Sequence, residues 1–426
     1  MEQEAWAVQK KLLLLGGFPQ MIPIVETARR MGLWTIVVDM NEASPAKAHA
    51  DEAIHMSTHR IDDLEALCRE KGVAGVFNGF EDFNIHIACE LCRRLELPFY
   101  SSREQLAQAT DKRAFKEVCR RYGVLVTAQY TLPQALQEAR YPYIVKPADS
   151  YGSRGVSVCR DAQELQAGVR RAEETSRTGS SLIERFVDRD HGTELFYTIV
   201  NDSIHLTATA DRYTVRPDGM SVPLPVAEVF PSRHRDDMLR KLDGPVRRML
   251  AGMGLRNGLV LIQALWDEGP EGDEYLVYEM AHRFTGEQHH LLVREQQGIR
   301  LDEMMIRFAL GEDIAAYDTP LLDDTAFVRP GINLAIPLRP GRIAGISGVE
   351  QVRATPGVLS CDQIHTAGDE IGGQADYNHM LLRVNLTAPD QQTLRETTAG
   401  IVSCVSVTSS DGGDMLLTRF SLPEKA

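Results

Sequence analysis

The chain has 426 residues, 43% hydrophobic and 25% charged, which is ordinary for a soluble globular protein and long enough for about three domains. Its formal net charge is −14 and it carries no long basic run, so nucleic acid is not an expected partner. The apolar run Leu12–Leu15 is far too short for a signal sequence or a membrane span, and seven scattered cysteines fit reduced thiols, so a cytoplasmic protein is expected.

Strands and helices alternate over residues 11–100. Leu12–Leu15 reads as a buried strand, followed by the Gly16-Gly17 turn. A helix with Ile24, Val25, Ala28 and Met31 on one side ends at Gly32, and Trp34 to Val38 is the next strand, closed by Asp39. Ala53–Met56 and Val73–Phe77 are further strands; Ile61–Arg69 and Phe83–Leu95 are helices. This order predicts a parallel α/β unit. The turn Gly16-Gly17-Phe18-Pro19-Gln20 lacks the spacing of a dinucleotide fingerprint, and Pro19 removes a donor, so a structural turn is the better reading. Cys89 and Cys92 share a helical pattern with Ile85, Ala88 and Leu95, which favours packing over metal or redox work.

Asp111-Lys112 opens a helix that runs to Tyr122. A lysine at a helix start opposes the helix dipole, so Lys112 either is solvated or points at an anion that the helix end also attracts. Tyr143 to Val145 is a strand that runs into Lys146. A small-residue loop, Ser150-Tyr151-Gly152-Ser153-Arg154-Gly155, leads to a second strand at Val156–Val158. Backbone N–H groups in such a loop can turn towards an anion, with Lys146 beside it as a point charge. No Gly-Lys-Ser/Thr precedes a helix, so this is not a Walker A loop.

Asp161 and Glu164 suggest a capping box for a helix from Gln163 to Thr175. Ser181–Glu184 is a strand, and Glu194–Val200 and Ile204–Ala210 pair around Asn201-Asp202. Residues 211–231 read as loop, punctuated by Pro223, Pro225 and Pro231. Arg235–Met253 reads as one helix, Gly258–Trp266 and Tyr275–Ala281 as paired strands, Leu301–Leu310 as a helix, and residues 282–298 as a pocket-lining loop. From about Pro330 short strands and helices form a small α+β tail. Gln263 and Glu279 lie on adjacent strands among apolar residues, where side-chain oxygens can hold Mg²⁺ and where a buried glutamate needs a partner. An ion pair between Glu279 and Arg283 is the alternative. His282, His289 and His290 fit no closed zinc site and are expected in an acceptor pocket or at the surface; Arg212 and Tyr213 are further pocket candidates.

The order and spacing of these motifs resemble the ATP-grasp superfamily, nearest its carbamoyl-phosphate-synthase-like and L-amino-acid-ligase-like branch. The resemblance implies an α/β and α+β architecture. Residues 1–110 would be a parallel α/β pre-ATP-grasp domain and 111–188 a small lobe with a phosphate lid. Residues 189–329 would be a large lobe with the metal strands, and 330–426 a small C-terminal α+β domain. It implies that Lys112 and Lys146 meet nucleotide phosphates under a lid containing Ser150, Tyr151, Gly152 and Ser153. Glu184-Arg185-Phe186-Val187 would be the hinge at adenine and Glu194 the ribose acid. Gln263 and Glu279 would be metal ligands, and Arg283 would act on the acyl group. Gln263 stands where many members carry Glu, although carbamoyl-phosphate-synthase-like members also use Gln. Ala281 stands where many carry Asn, which removes an oxygen that a second ion would use.

The implied activity is an ADP-forming carboxylate–amine ligase that uses ATP and Mg²⁺, or Mn²⁺ in its place, on a small carboxylate and an amine, amino acids among them. A homodimer is compatible with the resemblance. Carbamoyl-phosphate or carboxylase chemistry and a regulatory ATP-binding module without turnover are the rival readings, with a nicotinamide oxidoreductase more distant.

Overall fold

A computed structural model describes residues 9–149, 155–187, 191–215, 223–269, 272–372 and 379–424. The first layer is a parallel sheet of four strands in the spatial order Glu52–His55, Trp34–Asp39, Lys11–Leu15, Val73–Phe77. Runs of Leu, Ile and Val form its central strands because both faces are covered. Leu13, Leu15, Ile36 and Val38 face the helices Ile61–Lys71 and Asp82–Leu95, and Cys89 and Cys92 are buried in this layer. Its other face packs on helix Leu301–Ala309, and Thr27 Oγ1 donates to Asp302 Oδ2 at 2.8 Å across that joint.

The second unit is a four-stranded antiparallel sheet, Gln129–Tyr130, Ser181–Arg185, Tyr143–Pro147, Ser157–Cys159. Helix Ala162–Thr175 covers it with Leu165, Val169 and Ala172. Asp161 accepts from the Glu164 N–H at 2.8 Å, but the Glu164 carboxylate reaches back to the N–H of Arg160 at 2.6 Å, one residue before the expected partner.

The third unit is an eight-stranded antiparallel sheet. In spatial order its strands are Gly272–Ala281, Gly258–Gly269, His191–Val200, Ser203–Val215, Leu224–Phe230, Gly331–Pro337, Met380–Thr387 and Val358–Gln363. Asn201 and Asp202, both at positive φ (48° and 72°), make the tight hairpin expected there. One face of the sheet packs on helices Lys112–Arg121 and Gly244–Gly252 at one end and on helix Gln391–Cys404 at the other. The sheet runs across the expected boundary at 329/330, and a three-stranded sheet, Glu370–Ile371, Gly341–Ser347, Ser406–Ser409, completes the tail.

Three expectations are corrected. Residues 211–231 are not mostly loop: strand Ser203–Val215 continues through Val215, and Leu224–Phe230 pairs with it. Pro225 is tolerated there because it lies opposite Thr214, where the register shifts. The helix expected over 235–253 carries a π segment at Leu239–Asp243, between the α-helical Arg235–Met238 and Gly244–Gly252. Pro245 has no N–H for the α-helical ladder, and the wider turn sits against it. Residues 282–298 are not one loop, since His289–Gln297 is a helix.

A Cβ on Gly75 would lie 2.6 Å from the Ala309 carbonyl oxygen, backbone against backbone, so the approach of the parallel sheet to helix Leu301–Ala309 depends on that glycine. Gly75→Ala is expected to destabilise the protein by about 1–3 kcal/mol, the usual cost of overpacking. Urea unfolding reads this directly, and an unchanged midpoint would mean that the joint can open to make room.

Candidate functional site

Helix Lys112–Arg121 starts at Asp111, whose Oδ1 accepts from the N–H groups of Arg113 and Ala114 at 2.9 and 2.8 Å. The N–H of Lys112 donates to the Ala148 carbonyl at 3.2 Å, so the helix start is tied to the strand end that bears Lys146. One turn further on, Lys116 points inwards and is 1% exposed. Its Nζ bonds to Thr127 Oγ1 at 2.6 Å and pairs with Glu184 Oε1; Thr127 Oγ1 donates to Glu184 Oε2 at 3.0 Å. Lys146 Nζ reaches the same Oε2 at 3.2 Å. Glu184, expected at adenine, is therefore a buried carboxylate held between two ammonium groups.

Burial alone would raise the Glu184 pKa, but Lys146 and Lys116 overcome it and hold the carboxyl down to about 2. Burial pulls Lys116 down to about 8, against the attraction of Glu184. Sequence reasoning missed Lys116 and Thr127. The available signal for Lys116 was its place one helical turn after Lys112, in Asp111-Lys112-Arg113-Ala114-Phe115-Lys116.

Asp149 accepts from Ser176 Oγ at 2.7 Å and from the N–H groups of Arg177 and Thr178, which fixes one foot of the expected lid. Ser150, Tyr151, Gly152 and Ser153 lie outside the described residues. Past Glu184, Arg185 turns out to Asp267 at 2.6 Å, the Phe186 N–H donates to the Pro142 carbonyl at 3.4 Å, and Val187 is buried.

The large sheet brings distant residues into one row. Glu279 stands opposite Gln263, Gln263 opposite Glu194, and Glu194 opposite Ala210. Arg212, on the same face as Ala210, is opposite Glu228, and Glu228 is opposite Asn333. Asn333 meets Asn385, and Arg383 meets Asp362. Directly opposed residues of antiparallel strands share a face, so these polar groups form one band across eight strands. Gln263 Nε2 donates to Glu194 Oε1 at 2.7 Å, which leaves the Gln263 carbonyl oxygen for another partner. Burial raises the Glu194 pKa to about 7, and Glu287 adds to this against Arg212 and Gln263. Glu279 is exposed on the outer strand, so the expectation of a buried glutamate needing a partner is corrected. Tyr278 beside it, also unforeseen, accepts from Arg212 Nη1 at 2.8 Å and lies under Lys146, 5.6 Å from Nζ to ring centre. It joins the small sheet to the large one. Tyr213 is buried in the apolar core near Phe420.

Arg283 forms its ion pair with Asp82 of the first layer, with Nε and Nη2 on the two oxygens at 2.5 and 2.8 Å, while Nη1 donates to the Phe284 carbonyl. The partner is thus Asp82, 201 positions away, where sequence offered Glu279. Burial works against the Asp82 carboxylate, but Arg283 keeps its pKa below the usual value. Two of the five guanidinium N–H groups have no hydrogen-bond partner among the described residues. His282, His289 and His290 are buried, so the surface alternative for them is corrected. His282 lies at the Asn257 carbonyl and Tyr100, His289 against Phe196, and His290 between Phe80 and Phe284, with the His289 and His290 rings edge to face at 6.4 Å.

The oxygens of Gln263 and Glu279 suit a hard cation such as Mg²⁺, since the Gln263 amide nitrogen is already spent on Glu194 and Glu279 is open to solvent.

Lys116→Met should destabilise the protein by about 3–5 kcal/mol by leaving a buried charge short of a partner. A Lys116→Met/Glu184→Leu double variant should recover part of the loss, as a double-mutant cycle in urea would show. Because the folded Glu184 pKa lies below the unfolded value of about 4.3, its contribution is present above that pH and fades as pH falls towards 2. Wild-type stability in the Lys116→Met background would contradict the buried cluster.

The family model of the carbamoyl-phosphate synthase L chain, ATP binding domain, matches residues 104–317. Uncharacterized protein y4rH of Sinorhizobium fredii is 27% identical over 395 residues, covering 87% of this chain and 76% of that protein. A formate-dependent phosphoribosylglycinamide formyltransferase of Wolinella succinogenes is 25% identical over 189 residues, which is 42% of this chain and 49% of the relative's length. The crystal structure of L-amino acid ligase from Bacillus licheniformis superposes with a TM-score of 0.76 at 17% identity, covering 94% of this chain and 99% of that one. No helix among the described residues is long and apolar enough to cross a membrane. The chain belongs to the carbamoyl-phosphate synthase L chain, ATP binding domain family, and is an ATP-grasp enzyme.

Proposed function

We propose that the protein is an ADP-forming carboxylate–amine ligase that works through an acyl phosphate. The observation that carries this reading is the facing of two unlike sites. The Lys116–Glu184–Lys146 cluster carries one more positive charge than negative. Through Tyr278 it meets a sheet face where Gln263 and Glu279 offer oxygens and Glu194 a carboxylate. A polyphosphate suits the first, and a hard cation with a diol suits the second.

In this reading Lys112 and Lys146 neutralise nucleotide phosphates, and the 150–153 loop closes over them. The backbone near Val187 takes the adenine edge, Glu184 holds the two lysines in place, and Glu194 takes the ribose hydroxyls. Gln263 and Glu279 would hold Mg²⁺, which when bound neutralises charge on the phosphates. A substrate carboxylate oxygen attacks the terminal phosphorus, and the bond from that phosphorus to ADP breaks. The amine nitrogen then forms a bond to the acyl carbon, and the acyl C–O bond to phosphate breaks. Arg283 supports this second step with the N–H groups that Asp82 and Phe284 leave to it, and its link to Asp82 fixes the fork where the first layer meets the sheet. The L-amino acid ligase likeness favours amino acids among the substrates.

Hydroxylamine should intercept the acyl phosphate as a hydroxamate, dependent on both ATP and the carboxylate. Release of AMP and pyrophosphate instead would sink the chemistry. Arg283→Lys cannot reproduce the two-oxygen fork, so it should lower turnover by about 10²–10³ while nucleotide affinity changes little. Loss of nucleotide binding with unchanged turnover at saturating ATP would move Arg283 out of the acyl site.

A further inference from the structure

In the middle of the polar row, negative charge outnumbers its partners. Glu228 is 3% exposed, and its Oε2 has no hydrogen-bond partner among the described residues. The charged groups around it are Glu194, Glu287, Arg383 and Arg212. Both arginines are already engaged. Arg212 bonds to Tyr278 and lies 3.6 Å from Glu194, and Arg383 bonds to Asn333 Oδ1 at 2.7 Å and lies 3.6 Å from Glu287. The Glu194 Oε2 is likewise buried without a partner among the described residues. Glu287 is the opening, with a side chain 26% exposed. It follows Arg283 by one helical-turn length of chain, and its carbonyl is fixed by Asn333 Nδ2 at 2.9 Å. A buried carboxylate oxygen with no protein donor is costly, so a ligand that supplies one would relieve it.

Such a ligand is a cation with N–H donors. An anion would meet carboxylates, whereas an ammonium supplies both a positive charge and the N–H donors that the uncovered oxygens need. We propose that Glu228 and Glu287 form the subsite that receives the amine acceptor, bound as a primary ammonium. This rests on the ligase reading above and adds the place and charge of the second substrate. Arg383, held by Asn333 behind the pair, keeps the acidic groups from repelling one another apart. For attack the ammonium passes one proton to the Glu228 carboxylate, the freed nitrogen lone pair forms the bond to the acyl carbon, and phosphate leaves with the electrons of the broken C–O bond and takes the second proton from nitrogen. Burial, with Glu194 and Glu287 close by, raises the Glu228 pKa, which makes this carboxylate receptive to that proton.

The test uses the full chain with ADP and Mg²⁺ and glycinamide as probe, an ammonium without a carboxylate, with acetamide as its uncharged counterpart. Calorimetry should show glycinamide binding to wild type and acetamide failing to bind. Glu228→Gln keeps the shape and removes the charge, and should weaken glycinamide about tenfold to a hundredfold, the loss of one charge-assisted hydrogen bond. Glu287→Gln should weaken it in the same direction and serves if the first variant does not fold. Equal binding to wild type and variants, equal binding of acetamide, or no binding of glycinamide overturns the subsite. Failure of wild type to form hydroxamate would instead remove the ligase chemistry, while the binding result still judges the subsite.

Discussion

The site depends on one carboxylate kept charged away from water. Glu184 is 1% exposed, and each ion of such a group costs several kcal/mol to desolvate. Only the pair of lysines makes the arrangement tolerable, and the two arrive from different elements, Lys116 from a helix and Lys146 from a strand. The cluster therefore fixes helix Lys112–Arg121 against the small sheet. It also leaves a net positive charge in a chain whose formal total is −14. That local excess, rather than overall charge, is what makes a polyphosphate reading physically reasonable.

The large sheet has the opposite balance. Its row contains more carboxylates than guanidinium groups, and these are hidden between strands and the 282–288 segment. Tyr278 is the connection between the two fields. Its ring lies under the Lys146 ammonium, and its hydroxyl accepts from Arg212, so one aromatic side chain touches a cation from each sheet. Arg283 makes a comparable link in another direction, since its pair with Asp82 brings the first layer to the edge of the same face. Three separately folded layers thus converge on one region through charged contacts, while apolar contacts such as Gly75 against Ala309 set how closely they approach.

Much of this was legible where local pattern decides. Continuous apolar runs gave the parallel strands, glycines at positive φ marked helix ends, and Asn201-Asp202 marked the hairpin. The reading failed where a tertiary contact overrides a local signal. Pro223 and Pro225 read as loop, yet Leu224–Phe230 is a strand because its prolines fall at the strand start and at a register shift. Glu279 read as buried because its neighbours are apolar, yet an outer strand exposes it. Asp82 could not be found as the partner of Arg283, since 201 positions separate them and no spacing rule spans that distance. Lys116 carries no distinguishing local signal, because a lysine in an amphipathic helix is usually solvated and only the closed fold shows which side it faces.

Gln263 shows what the sequence departure means once the fold is known. Glutamate at that position would set a second carboxylate directly beside Glu194, which is buried and whose Oε2 already lacks a partner among the described residues. Like charges opposed across strands repel, and the repulsion is strongest where water is absent. Glutamine keeps one oxygen for a cation and turns its nitrogen into a donor for Glu194 at 2.7 Å. The amide thus serves two needs that a carboxylate could not meet together. A face where Glu194, Glu228, Glu287 and Asp362 meet Arg212, Arg383 and an Arg283 already paired with Asp82 has little room for one more negative charge. The choice of amide over acid at Gln263 is therefore a consequence of the row it belongs to, and not of the strand on which it sits.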